Sequence, residues 1–292
     1  MRKALLVACL GLGGFVVAAP AGSAGTLDRI RDTGTIVLGH RAQSVPFSYL
    51  DGDSTPVGLA IDLCARIVEA IRFELKLTSL EVRDRLVTPE NRIALMKQGA
   101  IDIECGSTTN TAERREQVDF SVTYFVAGVR LLVRRDSGVK DYAELDGLTV
   151  AITRGTTAEA LLLAEVPKAR IAEVGEHDEA FRMVAERQAV AFALDDVLLA
   201  GLVARSKDPA SFAIVGASLS QERYGLMLPK GDAPLKALVD RVLIGLMKSG
   251  EADKLYARWF TRPIGRDRIN LNLPMSEALR KAFDRPSDEG AE

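Results

Sequence analysis

The sequence predicts an α/β fold in two similar halves, and three observations predict it. Strand-like runs alternate with helix-period runs from residue 35 onward, the pattern that joins parallel strands through helical crossovers. The pattern resumes in kind at LTVAITRGTTAEALLLAEV (148–166), with no Pro/Gly-rich linker between the halves. Behind its leader the chain keeps about 268 of its 292 residues, enough for two lobes of ordinary size.

The leader is the first 24 residues, MRKALLVACLGLGGFVVAAPAGSA. Arg2 and Lys3 give a basic start, an apolar run reaches about Ala19, and small residues end at Ala24, the layout of a secretory signal cleaved there. It is too short for a durable membrane span, and its Gly-Leu-Gly-Gly is therefore not a nucleotide loop. Only about five apolar residues precede Cys9, too few for a lipoprotein site. Loss of Arg2 and Lys3 takes the formal charge from -2 to about -4, which argues against nucleic acid as a partner. A periplasmic location follows.

After a short helix over 27–34, TIVLGHR (35–41) reads as a strand entering a polar turn. A turn at 51–53 leads to a helix over about 59–71, apolar at 61, 64, 67, 68 and 71. LEVRDRLV (80–87) is a strand; TPENRIALMKQG (88–99) starts a helix with Thr88 as cap and Pro89 in its first position. The strand AIDIECG (100–106) runs into STTNTAERR, where Thr111 caps a helix carrying Glu113 in its first turn. In the second half, Thr156 and Glu159 are spaced as a capping box after the strand at 149. Strand–turn–helix units follow at 169–187 and 188–206, then strands at 211–216 and 222–231, then one long helical tail over 234–260.

Ligands of such sheets gather where strands end and helices begin. Those ends hold Arg41, Arg92 and Arg114, the hydroxyls of Ser107, Thr109, Thr156 and Thr157, His177, and the pair Asp195 and Asp196. Arginine forks and free helix N–H groups bind carboxylates, and an aspartate seats an ammonium. A zwitterion with an additional acid group fits that set.

The chain resembles the periplasmic solute-binding proteins of amino-acid ABC transporters (family 3), and within them the glutamate/aspartate-binding subgroup. The resemblance rests on GHR..SVPFSY, NRIALMKQG, ECGSTTN.AER, TRGTT.E.LL, H..AFR, AVAFALDDVLLAG and SGEADKLYARWF, and spans Leu27 to Phe283. It implies a two-lobed periplasmic-binding-protein fold, each lobe a mixed sheet flanked by helices, joined by two hinge strands near 125–128 and 221–224. Lobe 1 is then 26–127 plus 223–292 and lobe 2 is 128–222. The implied protein is a monomer without cofactor or metal that delivers L-glutamate or L-aspartate to a membrane permease. Arg114 matches the residue that grips the α-carboxylate, with Ser107, Thr109 and Thr157; Asp195 matches the acid that receives the ammonium. Arg41 and Arg92 match positions facing the distal carboxylate, and His177 a further polar contact. Pro89 departs from the subgroup, which has serine there, so the resemblance leaves the choice among acidic amino acids open.

Each residue has an ordinary use as well. Arg114 could pair with Glu113 or Glu116, Arg41 with Asp62, and Asp195 could cap the following helix. The dipole argument disfavours Arg92 in a first turn, and His177 could be a solvated turn residue. Phe47 and Tyr49 suit either cleft or core. Cys64 reads as an inward helix position and Cys105 as a strand end, as two buried thiols or as a disulfide. From another class, the scaffold resembles periplasmic cyclohexadienyl (arogenate/prephenate) dehydratases, with His177 as acid or base. Against an enzyme, the chain has no GxSxG elbow, metal-ligand spacing or phosphate loop. A membrane-tethered sensory module lacks its span.

Overall fold

The computed structural model describes residues 25–52 and 54–291; the leader read over 1–24 lies outside the described residues. Two five-stranded mixed sheets organise the chain. The first has the order β5 (Glu81–Leu86), β1 (Thr35–His40), β6 (Ile103–Cys105), β15 (Met227–Leu228), β7 (Asp119–Phe120). Its first three strands are parallel, and β15 is antiparallel to both neighbours. The second has the order β11 (Arg170–Val174), β10 (Thr149–Thr153), β12 (Ala191–Asp195), β9 (Val129–Arg134), β13 (Phe212–Val215). Again three strands are parallel, and β9 is antiparallel to its two neighbours. Between the sheets, β8 (Phe125–Ala127) and β14 (Glu222–Tyr224) form an antiparallel pair with Phe125 opposite Tyr224. A small sheet of β2 (Gln43–Ser44), β3 (Ser48–Leu50) and β4 (Pro56–Val57) carries the turn after β1. This is the two-lobed α/β fold the sequence predicts.

Helices α1 (Thr26–Thr33), α2 (Leu59–Glu74), α3 (Arg92–Lys97) and α4 (Ala112–Arg115) pack with the first sheet. Helices α5 (Ala158–Glu165), α6 (His177–Ala185) and α7 (Asp196–Arg205) pack with the second. The long tail is not one helix. Asp232 accepts a hydrogen bond from the Leu235 N–H to start α8 (Ala233–Ser249), and Gly250, at φ 74°, turns the chain into α9 (Glu251–Phe260). Helix α10 (Glu277–Asp284) returns against α8.

Phe47 and Tyr49 belong to packing rather than to a cleft. Phe47 meets the Phe125 ring edge-on at 4.7 Å, Phe125 stacks on Phe260 at 5.1 Å, and Tyr49 meets Trp259 edge-on at 6.2 Å. The hinge pair is thereby anchored to the first lobe. The two cysteines are bonded: Cys64 on the buried stripe of α2 joins Cys105 at the end of β6, across a separation of 41 residues. Closing a loop of that length stabilises the fold by about 4 kcal/mol in the chain-entropy description. The bond ties α2 to a strand that ends two residues before Ser107.

Candidate functional site

The strand ends of both sheets meet around one cavity. Arg41, Arg92, Ser107, Thr109 and Arg114 line it from the first lobe, and Thr157, His177 and Asp195 from the second, with Pro89, Thr156 and Leu198. All eight predicted site residues therefore come together. Arg41 (1 % exposed), Arg92 (3 %) and Arg114 (9 %) are buried, so neither surface pairing of Arg114 nor a solvated His177 (2 %) describes the protein. Such burial of charge is costly unless partners are supplied.

Local structure supplies them. The Thr111 hydroxyl accepts from the Arg114 N–H, as the cap reading predicts, and fixes the turn of α4. The Arg114 fork donates to the carbonyls of Thr109 (2.9 Å) and, across the cleft, Gly155 (2.8 Å). Arg92 donates to the same Gly155 carbonyl (3.2 Å) and to the Thr108 hydroxyl (2.6 Å), which donates to Glu104 (2.7 Å). Arg41 does not pair with Asp62, which accepts from Arg258 and Trp259; it donates through Nη2 to Glu176 of the second lobe at 2.8 Å.

Other cap readings need correction. Thr88 and Asn91 exchange hydrogen bonds, so Thr88 does organise the turn, but regular helix begins only at Arg92. No capping box forms at Thr156: its hydroxyl donates to the Thr153 carbonyl (2.7 Å), while Thr157 donates to Glu222 on the hinge strand (2.8 Å). Asp195 sits at the cap position of α7 without capping it; Asp196 accepts the Val197 N–H instead (2.7 Å).

Electrostatics follow from burial. Desolvation pulls Arg41 and Arg114 down to about 10, with Glu176 opposing at Arg41 and Arg92 adding to the effect at Arg114; both stay charged at neutral pH. Burial, then the nearby Arg41 and Arg92, hold His177 well below its ordinary range, so its imidazole is neutral and shares a hydrogen bond of 3.0 Å with the Thr153 hydroxyl. Burial, then the Glu222 charge, push Asp195 up to about 8. Three buried polar atoms on residues that line the cavity have no protein hydrogen-bond partner: Arg41 Nε, Arg92 Nε and Asp195 Oδ1. Such atoms are expensive to leave unmatched, and a solute bringing acceptor oxygens and a cationic donor matches them.

Sequence reasoning missed Glu104, Thr108, Glu176, Glu222 and the Gly155 carbonyl. Glu104 left one signal, a charge inside the apolar run AIDIE. Glu176, Glu222 and the Gly155 carbonyl owe their roles to partners far along the chain.

The lobes touch at glycine. A Cβ at Gly201 on α7 would lie 2.5 Å from the Val45 carbonyl oxygen of the other lobe. Gly201→Ala is expected to leave the fold's melting temperature equal or higher, since alanine favours a helix interior by about 1 kcal/mol. Closure should suffer instead, lowering solute affinity about tenfold, since overpacking costs about 1–3 kcal/mol. Calorimetric titration beside thermal melts checks this, and unchanged affinity would remove the contact from the closing interface.

Fold and cavity define a two-lobed binding protein for a small charged solute. The chain belongs to the bacterial extracellular solute-binding proteins, family 3, whose model matches residues 36–262. It is 46% identical over 273 residues to the L-glutamate/L-aspartate-binding protein of Pseudomonas aeruginosa, covering 92% of this chain and 90% of that one. It is 44% identical over 276 residues to the glutamate/aspartate import solute-binding protein of Escherichia coli, covering 93% and 91%. Among solved structures it is similar to an ancestral amino acid-binding protein described as a precursor of cyclohexadienyl dehydratase. That match has a TM-score of 0.70 and 30% identity, and covers 82% of this chain and 100% of that one. The two curated relatives are named as binding proteins, not enzymes. No helix among the described residues is long and apolar enough to cross a membrane.

Proposed function

We propose that the protein captures L-glutamate or L-aspartate outside the cytoplasm and hands it to the membrane permease of an ABC importer. The reading is carried by one observation: three buried guanidinium groups and one buried aspartate line a single cavity between two lobes. Arg114, with Ser107, Thr109 and Thr157, takes the α-carboxylate, and Asp195 takes the ammonium. The distal carboxylate goes to Arg41 and Arg92, with neutral His177 beside them. The curated relatives named for glutamate and aspartate support the same ligand.

Lobe 1 comprises 26–127 plus 223–292 and lobe 2 comprises 128–222, hinged at β8 and β14. The ligand lands on one lobe and closure brings the other over it, a hinge motion whose closed form the permease recognises. The mature protein acts as a periplasmic monomer, its leader removed near Ala24. Titration calorimetry of the refolded, ligand-stripped protein with glutamate, aspartate, glutamine and arginine tests the proposal. Micromolar or tighter binding, about -8 kcal/mol or better, should be confined to or strongest for the first two. Preference for arginine would overturn the ligand assignment while leaving the receptor fold, and failure to bind any amino acid would overturn the receptor reading.

A further inference from the structure

Arg41 is given to the ligand's distal carboxylate, yet it already holds a carboxylate of the protein. Its Nη2 donates to Glu176 Oε2 at 2.8 Å while its Nε, buried, has no protein partner. Glu176 is 30 % exposed, whereas the guanidinium it contacts is 1 % exposed. Its side chain is not engaged in capping α6, although it stands at the cap position, so its role is the contact with Arg41. Arg92, the second residue offered to the distal group, also has its Nε unpartnered.

A distal group placed there meets two guanidinium donors and, on the same Arg41 fork, a carboxylate acceptor. A ligand carboxylate satisfies the donors but lies beside a like charge, and Arg41 reaches it partly neutralised. A primary amide satisfies the donors with its oxygen and can offer its N–H to Glu176. We propose that Glu176 is a specificity-determining residue that narrows the preference for acid over amide ligands by sharing Arg41 with them. The inference rests on the acidic amino-acid reading above. Specificity is a difference of affinities, so a repulsive group counts as much as an attractive one.

The test is calorimetric titration of wild type, Glu176→Gln and Glu176→Asp with glutamate and with glutamine. Glu176→Gln should raise the ratio of glutamate to glutamine affinity by about tenfold, the scale of removing one like charge from a partly buried setting. Glu176→Asp, which keeps the charge, should stay within about threefold of the wild-type ratio. The pair also bridges the lobes, and loss of a closure contact alone would lower both affinities together. An unchanged ratio in Glu176→Gln, whatever the absolute affinities, overturns the inference and leaves the acidic amino-acid reading standing. Wild-type protein that binds neither ligand overturns both. If Glu176→Gln fails to fold, Glu176→Ala carries the same expected rise in ratio.

Discussion

Arg114→Ala should lose binding of every amino acid by about 100-fold or more, because it removes the partner of the one carboxylate that all of them share. Truncating one member of a buried, hydrogen-bonded charge pair costs about 2–5 kcal/mol, much of it from the charge left behind. Here the charge left behind is substantial. Arg114 is the cation that opposes the raised pKa of Asp195, and its fork also joins Thr109 to Gly155 across the lobes. The variant thus weakens both the ligand's seat and the closed form. Arg114→Lys should recover only part of the affinity, since an ammonium cannot reproduce a fork bound to two carbonyls in fixed directions. Titration calorimetry with glutamate and glutamine separates this role from that of the distal arginines: loss at Arg114 should be equal for both ligands. Affinity within threefold of wild type would remove Arg114 from the site.

The eight site residues were legible because each stands where a strand gives way to a turn or helix, and the alternating topology sends all such ends to one place. What they bond to was not legible. Arg41 finds Glu176 across 135 residues, and Thr157 finds Glu222 across 65, so no local spacing links them. The failed capping box at Thr156 has a local cause: its hydroxyl turns back to the Thr153 carbonyl, and Thr157 takes the cap position of α5 while its own hydroxyl goes to Glu222. Cys64 showed an inward helical phase and Cys105 a strand end, but neither says which helix lies over which strand. Gly250 shows the opposite case. A left-handed residue after Lys248 and Ser249 is a helix stop readable from sequence, and the continuing apolar period on its far side masked it.

Asp195→Asn should weaken amino-acid binding by about 100-fold and also remove a proton that wild type releases on binding. Asp195 ends β12, and burial, then the charge of nearby Glu222, push its pKa up to about 8. An aspartate in an unfolded chain ionises near 4. Between about pH 4 and pH 8 the ligand-free closed fold therefore binds more protons than the unfolded chain. Its stability contribution is complete below pH 4 and is lost as pH rises towards 8. A ligand ammonium reverses the balance by favouring the ionised carboxylate, so the stabilisation given by ligand should grow with pH across this window. Apparent affinity rises by at most about tenfold per pH unit for one linked proton. His177 does not compete at pH 7, because burial and the charges of Arg41 and Arg92 keep it neutral there. Titrations at pH 7 in two buffers of different ionisation enthalpy should report close to one proton released by wild type and none by the variant. Melting of the ligand-free proteins at pH 8 should find Asp195→Asn the more stable, since it carries no charge to bury beside Glu222. Equal buffer enthalpies for wild type would mean that Asp195 is already ionised before the ligand arrives, and that burial and Glu222 together do not hold it protonated at pH 7.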